Sequence, residues 1–285
     1  MPGYDGRIAV ITGGASGIGY AIAERAGAEG MIVVLVDVDA QALDSARAAL
    51  EATGIQAHAL RADVSDREAM IELGRRVEEE VGAPWLLVNN AGVFLAAPFL
   101  EMPLEQWDFL IGVNLWGVVY GLHAFLPGMV ARDSGYVINT SSVDGIVTVP
   151  NATSYNAAKH AVTALSETLY RELEAARSQV GVSVLCPGAV TTNILHSARH
   201  WPDRLGPAPE IQDREYPELD NLMTPAEVAE ITFAAIAERR FWILTHAAQY
   251  APAMRARTEG AIAGTNPGDD SVDPNFASDT GRVPS

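Results

Sequence analysis

The one lysine of this sequence, Lys159, lies four residues after Tyr155, and all the others of its 19 basic residues are arginine. On a helix, side chains at positions i and i+4 project from the same face. An ammonium group beside a phenol stabilises the phenolate and lowers the pKa of tyrosine from about 10 toward neutrality. Such a tyrosine acts as a general acid or base at about pH 7. A solvated surface lysine beside a core tyrosine is the alternative that this pair alone leaves open.

The composition predicts a soluble, cytoplasmic protein of enzymatic size. Its 285 residues, 48% of them hydrophobic, suffice for one large α/β domain or two small ones. A formal net charge of −17 argues against nucleic acid and anionic membrane surfaces, because phosphate contacts need clustered Lys and Arg. No uninterrupted apolar run reaches the roughly 18 residues of a membrane span, and no signal-peptide pattern precedes the first apolar run. The single cysteine, Cys186, fits a reducing compartment.

Short apolar, β-branched runs alternate with Ala- and Glu-rich stretches from residue 7 to about residue 245. The runs predict buried strands, and the stretches between them predict helices. Strict alternation implies right-handed crossovers, and therefore one doubly wound α/β domain whose parallel sheet is covered by helices on both faces. The predicted strands are 8–11, 32–36, 57–60 (the weakest), 86–88, 136–138, 182–185 and 241–244. The predicted helices are 18–29, 40–53, 66–82, 104–132, 152–178, 225–239 and 247–263.

Two segments interrupt this alternation. Residues 193–222 contain four prolines, six acidic residues and Trp201, with little periodicity. A loop of this length inside a domain is usually a lid or a disordered insert, so we expect a substrate lid at about 193–222. Residues 265–285 are rich in Asn, Pro, Gly, Asp and Ser and predict a flexible acidic tail. The predicted domain therefore spans residues 1–264.

A glycine-rich turn, Thr12-Gly-Gly-Ala-Ser-Gly-Ile-Gly19, separates the first predicted strand from the first predicted helix. Glycines let the backbone approach a pyrophosphate, and the helix N-terminus supplies amide donors. Tight strand–helix turns also use glycine, so a purely structural role stays open. The second strand ends at Asp37, where a carboxylate can accept both adenosine-ribose hydroxyls and repel a 2′-phosphate. No basic residue lies in the turn and Val38 follows Asp37. The pattern predicts a Rossmann-type domain that binds NAD rather than NADP.

The order of the motifs resembles the short-chain dehydrogenase/reductase family. The glycine turn, Asn89-Asn-Ala-Gly92 and Pro187-Gly-Ala-Val-Thr-Thr192 match the family pattern over residues 6 to about 245. The resemblance implies a catalytic group of Asn114, Ser142, Tyr155 and Lys159. Ser142 is preferred over Ser141 because the family serine lies 13 residues before the tyrosine. Ser141 is interpreted as structural.

The same resemblance implies a set of cofactor contacts. Asp63 matches the residue that contacts the adenine ring, Thr192 lies near the nicotinamide carboxamide, and the Asn89-Asn-Ala-Gly92 motif also stabilises the central sheet. The implied cofactor-binding residues are Gly13, Ser16, Gly17, Ile18, Gly19, Asp37, Asp63, Val64, Asn90, Ala91, Gly92, Tyr155, Lys159, Pro187, Gly188, Val190 and Thr192. The resemblance also implies a homodimer or homotetramer paired through the helices at about 104–132 and 152–178, whose apolar faces would look the same in a monomer.

These residues predict an NAD-dependent oxidoreductase that interconverts a secondary alcohol and a ketone. Tyr155 would take the hydroxyl proton, and Ser142 would hold the substrate oxygen. By the resemblance, Asn114 would hold a water that links Lys159 to solvent. No residue cluster has metal-ligand spacing, so we expect no metal. The alternative from another class is a non-catalytic NAD-binding sensor or scaffold on the same fold.

The remaining candidates concern the substrate. The loop prolines, Trp201 and the apolar residues near the motifs favour a hydrophobic substrate, aromatic or alicyclic. Asp144 is interpreted as an exposed loop carboxylate, with a substrate contact as the alternative, and His160 is expected to face away from the site. The pocket-lining candidates, which would serve equally well as core, are Phe94, Leu95, Val147 and Val149. His196, His200 and Trp201 lie on the predicted lid and are interpreted as residues of a solvated loop.

Overall fold

Seven parallel strands form the central sheet of the protein, in a computed structural model that describes residues 3–208 and 222–268. The strands are β1 (Ile8–Thr12), β2 (Ile32–Asp37), β3 (Ala57–Arg61), β4 (Pro84–Asn89), β5 (Tyr136–Thr140), β6 (Gly181–Cys186) and β7 (Trp242–Leu244). Their order in the sheet is β3-β2-β1-β4-β5-β6-β7, and each pairing is parallel. This topology confirms the predicted doubly wound α/β fold, and each strand lies where the apolar runs predict it.

Helices connect the strands and cover both faces of the sheet. They are α1 (Gly17–Ala28), α2 (Ala40–Ala52), α3 (Arg67–Glu80), α4 (Leu104–Ile111), α5 (Gly117–Ala131), α6 (Thr153–Ala175), α7 (Pro225–Glu238) and α8 (Ala247–Ala263). The helix predicted at 104–132 is divided, because a π-helical turn at Gly112–Trp116 separates α4 from α5. Such a turn widens the backbone locally, and it is frequent at functional sites.

The apolar core lies in two layers, one on each face of the sheet. Residues of α1, α2 and α7 pack on one face, and residues of α3, α5 and α6 pack on the other. Strands covered on both faces need apolar side chains at successive positions. For this reason β1 and β6 are buried over their whole length.

Two aspartates begin the helices that follow β2 and β3. The side chain of Asp39 accepts hydrogen bonds from the amides of Gln41 and Ala42, and Asp66 accepts one from Ala69. Each cap satisfies amides that the first helical turn leaves without an intrahelical partner. The caps keep the connections short, so that Asp37 and Asp63 lie at the carboxyl edge of the sheet, where α/β folds bind ligands.

One helical stretch among the described residues, Leu104–Ala131, is long and apolar enough to cross a membrane by length and composition alone. It is not an uninterrupted apolar run. Val118, Leu122 and Phe125 are buried against the sheet. A core helix of a domain meets the same criterion, and the packing of this stretch is that of a core helix.

Part of the predicted lid, 209–221, and most of the predicted tail, 269–285, lie outside the described residues. The described first half of the lid contains two 3-10 helices, Ile194–His200 and Asp203–Leu205. We call residues 194–205 the strap, because they run along the opening of the cavity described next.

Candidate active site

A cavity of about 980 Å³ runs along the carboxyl edge of the sheet. Ligand sites of small molecules typically occupy about 300–1,000 Å³. The cavity is lined by residues from the glycine turn, the ends of β2 to β6, α6 and the strap. It brings together 17 of the 19 predicted site residues, which are Gly13, Ser16, Gly17, Ile18, Asp37, Asp63, Val64, Asn90, Ala91, Gly92, Ser142, Tyr155, Lys159, Pro187, Gly188, Val190 and Thr192. The other two predicted residues, Gly19 and Asn114, are buried and do not line the cavity.

The glycine turn forms a cradle that larger residues would fill. Gly13 and Gly17 have φ of 62° and 54°, and a Cβ on Gly13 would lie 2.9 Å from the Cα of Ala91. A Cβ on Gly19 would lie 2.1 Å from the carbonyl oxygen of Gly13, so Gly19 allows α1 to pack closely on the turn. The side chain of Ser16 does not cap α1. The amides at the start of this helix therefore point toward the cavity, which fits an anionic group such as a pyrophosphate.

Asp37 lies at the opposite end of the cradle from the catalytic group. Its carboxylate accepts hydrogen bonds from the amides of Ala15 (3.3 Å) and Asp39 (3.1 Å). The parallel register places Arg61 of β3 directly beside Asp37, and both residues line the cavity. The residues next to Asp37 in the chain and those of the glycine turn predicted that a 2′-phosphate would meet no counter-charge. That expectation was wrong. The guanidinium of Arg61 is held by the carbonyl of Val38 at 3.1 Å.

Thr12 joins the ends of β1 and β4 beneath the cradle. Its hydroxyl accepts hydrogen bonds from the amides of Asn90 (2.9 Å) and Ala91 (3.1 Å), and the Asn90 side chain donates to the carbonyl of Thr12 at 3.1 Å. In the sequence, Thr12 was recognised only as the first residue of the glycine motif. That position is the only feature of the sequence that indicates its hydrogen bonds to Asn90 and Ala91.

A buried chain of amides and hydroxyls connects the Asn89 motif to α6. Asn89 donates to Asn139 at 2.9 Å, and Asn139 donates to the hydroxyl of Ser166 at 3.0 Å. These bonds cross from β4 to β5 and then to the helix that carries Tyr155. The expected sheet-stabilising role of the motif is thus visible in the structure, whereas Asn139 and Ser166 carried no recognisable sequence signal.

Tyr155 and Lys159 lie on one face of α6, as their spacing predicts, and both are buried. The ammonium of Lys159 donates to the carbonyl of Thr140 at 3.0 Å and lies 5.6 Å from the centre of the Tyr155 ring. Ser142 follows β5, and its hydroxyl interacts with the Tyr155 phenol in the direction that lowers the phenol pKa. Ser141 instead donates to the carbonyl of Lys159 at 2.9 Å, which is the structural role expected of it.

The protein groups shift the pKa of Tyr155 in the opposite direction from the sequence expectation. Burial raises the pKa of Tyr155, the charge of Asp144 adds to the rise, and Ser142 opposes it. Burial also lowers the pKa of Lys159 to about 8, against smaller contributions from Cys186 and Asp144 that raise it. The largest cause of the raised pKa of Tyr155 is burial, because a buried phenolate loses its hydration.

Asn114 lies in the π-helical turn and is fully buried. Its side-chain oxygen accepts from the amide of Val93 at 3.1 Å, and its side-chain nitrogen donates to the carbonyl of Val93 at 2.9 Å. A Cβ on Gly92 would lie 3.1 Å from the Asn114 oxygen and 3.6 Å from the Lys159 nitrogen. Asn114 therefore holds the wall next to Lys159, with both polar atoms of its side chain bonded to Val93.

The family of the chain follows from comparison with known proteins. The family model described as short chain dehydrogenase matches residues 7–203, which is more than half of the chain. The protein belongs to the short-chain dehydrogenase family. This confirms the resemblance found in the motifs.

Three similar proteins illustrate the family. A short-chain dehydrogenase/reductase from Burkholderia phymatum, solved in complex with NAD, is 37% identical, with a TM-score of 0.87 over 94% of this chain and 98% of that one. A C alpha-dehydrogenase from Sphingobium sp. (strain NBRC 103272 / SYK-6) is 37% identical over 217 residues, which cover 75% of this chain and 70% of that protein. An alcohol dehydrogenase from Thermococcus sibiricus, complexed with 5-hydroxy-NADP, is 26% identical, with a TM-score of 0.71 over 84% of this chain and 96% of that one.

The end of the cavity nearest Tyr155 is mostly apolar in this short-chain dehydrogenase. The ring of Phe94 meets the Tyr155 ring edge to face, with 4.9 Å between their centres. Val113, Ile194 and Leu195 also line this end. Of the other candidates for the pocket lining, Leu95 and Val149 pack in the apolar cluster behind Phe94, and Val147 belongs to a separate cluster beneath α8.

The strap is bonded to the domain at both ends of the cavity. At one end, the amide of Phe94 donates to the hydroxyl of Ser197 at 3.0 Å. At the other end, Arg204 donates to the hydroxyl of Ser65 at 2.9 Å, and that hydroxyl donates to Asp63 at 2.7 Å. Between these ties, Trp201 packs against Phe109.

The two histidines of the strap differ in their surroundings. His196 is exposed, as the interpretation of a solvated loop requires. His200 is half-buried and lines the cavity, and its pKa is lowered by burial and by Arg199 against the opposing charges of Asp37 and Asp39. For His200, and also for Trp201, which lines the cavity and packs against Phe109, the interpretation as a residue of a solvated loop was therefore wrong. The strap folds back over the glycine cradle, which residue spacing does not reveal.

Residues beyond the matched segment complete the wall below the cradle. Tyr250 of α8 is buried and lines the cavity. A Cβ on Gly188 would lie 2.7 Å from Nδ1 of His246 and 2.9 Å from the ring of Tyr250, so only glycine fits at position 188. Sequence reasoning missed Tyr250, because α8 carries no motif.

Two further residues near the catalytic group were interpreted from the sequence. Asp144 is 9% exposed and lines the cavity, so its interpretation as an exposed carboxylate was wrong. The turn at Val143–Gly145 folds inward and takes Asp144 with it. His160 is not among the residues that line the cavity, and its Nδ1 bonds the carbonyl oxygen of Asn156 at 2.9 Å.

Proposed function

We propose that the protein is an NAD-dependent oxidoreductase that interconverts a secondary alcohol and a ketone by hydride transfer. The observation that carries this proposal is that Ser142, Tyr155 and Lys159 line the same cavity as the glycine cradle and Asp37. A hydroxyl donor, a phenol and an ammonium at one end of a dinucleotide-shaped cleft provide the groups that proton transfer to and from a carbinol requires.

Each catalytic residue has a distinct role in this proposal. A bound nicotinamide dinucleotide would supply the hydride acceptor. Ser142 donates a hydrogen bond to the substrate oxygen and stabilises its alkoxide character. Tyr155 removes the hydroxyl proton in oxidation and returns it in reduction. Lys159, held by Thr140, stabilises the deprotonated form of Tyr155 by its charge.

We propose that different parts of the cofactor are bound at different positions along the cleft. The glycine cradle and the start of α1 receive the pyrophosphate, Asp37 accepts the adenosine-ribose hydroxyls, and Asp63 lies beside the adenine ring. NAD is preferred because the carboxylate of Asp37 repels a 2′-phosphate, while Arg61 is held by Val38. The NAD complex of the Burkholderia phymatum relative supports this choice.

The proposed substrate carries an apolar ring, aromatic or alicyclic, next to the carbinol. Phe94 and the half-buried side chains of Val113, Ile194 and Leu195 supply the apolar walls near Tyr155. An apolar pocket with a few polar groups orients a ligand through those groups and binds it through the walls.

The test is NADH formation by purified protein with NAD and a panel of aliphatic, alicyclic and aromatic secondary alcohols. We expect turnover of ring-bearing alcohols, and a loss of about 100-fold or more in Tyr155→Phe, which removes the proton-transferring hydroxyl. Tyr170→Phe is the matched control, because Tyr170 lies on the same helix and packs against Phe241 away from the cleft. NAD binding without turnover of any alcohol or ketone would instead support a non-catalytic sensor.

We also propose that the protein is cytoplasmic and forms a homodimer or homotetramer. Leu104 and Trp116 of the helical stretch Leu104–Ala131 are 77% and 47% exposed, while its buried residues face the sheet of the same chain. A second copy would cover these exposed apolar side chains. Light scattering on the purified protein measures the assembly, and a monomeric mass across the working concentration range would contradict it.

A further inference from the structure

His200 is a half-buried residue of the strap that lines the cavity. It is the last residue of the first 3-10 helix of the strap, Ile194–His200. In the chain it lies between the two residues that bond the strap to the domain, Ser197 and Arg204. Because the strap is held on both sides of this position, the imidazole cannot leave the cavity wall unless one of these bonds breaks.

The strap brings His200 to the adenosine end of the cleft. A Cβ on Gly17 would lie 3.3 Å from Cγ2 of Thr192, so the chain that leads into the strap is in contact with the glycine cradle. The carboxylates whose charges act on the imidazole are those of Asp37 and Asp39, at the end of β2 and the start of α2. His200 therefore faces the same part of the cleft as these two aspartates.

The imidazole of His200 has no hydrogen-bond partner within residues 3–208 and 222–268. Asp37 and Asp39 influence it only through their charges, and their carboxylates instead accept hydrogen bonds from main-chain amides. An imidazole offers an N–H donor in both its neutral and its charged form. His200 therefore presents to the cavity a donor that no described protein group uses.

The other basic side chains that line this end of the cavity, among the described residues, are already bonded. Arg199 donates to two main-chain carbonyls of the strap at 3.1 and 3.0 Å. Arg61 donates to another main-chain carbonyl at 3.1 Å. Asp203, the one further acidic residue of the strap that lines the cavity, is exposed. His200 is therefore the basic group of this end whose donor is directed to the cavity.

A pyrophosphate in the glycine cradle would meet an unfavourable charge from Asp37 and Asp39. The amides at the start of α1 attract the anion from one side, but two carboxylates nearby repel it. A donor that also carries a positive charge offsets this repulsion, and its hydrogen bond to a phosphate oxygen is stronger than one between neutral groups. The imidazole of His200 has this chemistry.

We propose that His200 is a cofactor-binding residue, which donates a hydrogen bond from its imidazole to the pyrophosphate of the bound dinucleotide. The proposal rests on the NAD binding of the proposed function, and it adds a contact from the strap to those of the glycine turn and the strand ends. The pyrophosphate is then enclosed between the cradle and the strap.

Binding of the pyrophosphate should be coupled to protonation of His200. In the protein without ligand, burial is the largest cause of the lowered pKa of His200, and Arg199 lowers it further against the charges of Asp37 and Asp39. A bound pyrophosphate favours the imidazolium and so raises this pKa. The complex therefore takes up a proton on formation, and the affinity for the anion increases as the pH falls.

The experiment compares the binding of ADP-ribose, which contains the pyrophosphate, with that of adenosine, which lacks it. Calorimetry measures ADP-ribose, and competition against NADH measures adenosine. We expect His200→Ala to weaken ADP-ribose by about 5- to 20-fold, because the contact is only half-buried, and to leave adenosine within about 2-fold. His196→Ala is the matched control, since His196 belongs to the same 3-10 helix and is exposed outside the cavity lining.

A second variant, His200→Gln, separates the charge of the imidazole from its hydrogen bond. Glutamine keeps an N–H donor but carries no charge. At pH 8 we expect its affinity for ADP-ribose to lie within about 3-fold of wild type, and at pH 5.5 the advantage of wild type should grow to about 5-fold or more. Titrations in two buffers of different ionisation enthalpy measure the proton uptake, which should be present in wild type and reduced in His200→Gln.

The outcomes distinguish this proposal from the proposed function. Binding of ADP-ribose through His200, without turnover of any alcohol, would retain this proposal and reject the oxidoreductase. Wild-type affinity in His200→Ala would refute the contact, as would equal weakening of adenosine and ADP-ribose, which indicates a packing role of the strap. Wild-type protein that binds no ADP-ribose would contradict both the contact and the cofactor. Thermal unfolding shows that each variant keeps its fold, and His200→Gln tests the contact if His200→Ala does not.

Discussion

The ammonium nitrogen of Lys159 lies 5.6 Å from the centre of the Tyr155 ring. The same nitrogen donates to the main-chain carbonyl of Thr140 at 3.0 Å. The position of the charge is therefore set by the end of β5 and not only by the turn of α6 that carries both residues. Because Lys159 is buried, its interaction with Tyr155 is weakly screened by solvent.

Replacing Lys159 with arginine should abolish most of the activity. A guanidinium is planar and larger than an ammonium, so it cannot keep both the Thr140 bond and the position below the Tyr155 ring. We expect kcat/KM for alcohol oxidation to fall by about 100-fold or more. NADH formation measures the loss, and Arg171→Lys, at an exposed ion pair on the same helix, serves as the control. Wild-type turnover in Lys159→Arg would contradict the proposed role.

The lowered pKa of Lys159 should appear in the pH dependence of stability. Its pKa is about 8 in the folded protein, against an ordinary value of 10.5 for lysine, so between these limits the unfolded chain binds more protons at this site. The free energy of unfolding therefore rises with pH across that window. The Lys159→Met variant lacks this contribution. Between pH 8 and pH 10, the free energy of unfolding of wild type should therefore rise by about 1–3 kcal/mol relative to that of the variant.

Denaturant unfolding of both proteins at several pH values measures this gain. Comparison with the methionine variant cancels the titration of the groups that do not interact with Lys159. Parallel pH dependences of the two proteins would show that the Lys159 pKa is not lowered by burial.

Cofactor choice should depend on Asp37 and Arg61 together. Removing the carboxylate in Asp37→Ala removes the repulsion of a 2′-phosphate and leaves Arg61, its register partner on β3, as the neighbouring positive charge. We expect the ratio of kcat/KM for NAD to that for NADP to fall by about 10- to 100-fold. The double variant Asp37→Ala/Arg61→Ala should lose most of this gain in NADP use. If the double variant uses NADP as well as Asp37→Ala does, Arg61 is not the group that receives the phosphate.

The strap should slow release of the cofactor. Arg204→Ala removes the bond to Ser65, through which the strap reaches Asp63 at the adenosine end. Because this contact is exposed, its contribution is modest, and we expect NADH to dissociate about 2- to 5-fold faster. Stopped-flow displacement of NADH measures the rate. The control is Arg47→Ala, which removes an exposed ion pair on α2. Equal dissociation rates in Arg204→Ala and this control would show that the bond between Arg204 and Ser65 does not slow the release of NADH.

The fold and the pairing of Tyr155 with Lys159 were accessible from the sequence because both depend on short-range patterns. Buried parallel strands need continuous apolar runs, and amphipathic helices lie between them, so the alternation alone determined the architecture. Tyr155 and Lys159 lie one helical turn apart on the same face of α6, which their spacing predicts directly. Asp37 was found because it ends β2 a short distance beyond the glycine turn.

Other features depend on contacts between residues far apart in the chain. Arg61 stands beside Asp37 only because β2 and β3 pair in a particular register. Tyr250 and His200 reach the cavity because α8 and the strap fold back on it. The division of the helix at Gly112–Trp116 accommodates the two bonds between Asn114 and Val93. Periodicity carries no signal for such long-range bonds.

The sequence by itself identified the candidate groups for the chemistry, since residue type and helical spacing bring a phenol and an ammonium to one face. Only the tertiary structure decided their electrostatic environment. Burial raises the pKa of Tyr155 and lowers that of Lys159, and Asp144 acts on both from a turn that the sequence placed at the surface. The physical reason is that desolvation depends on every atom packed around a group, whereas spacing along the chain specifies only its nearest neighbours.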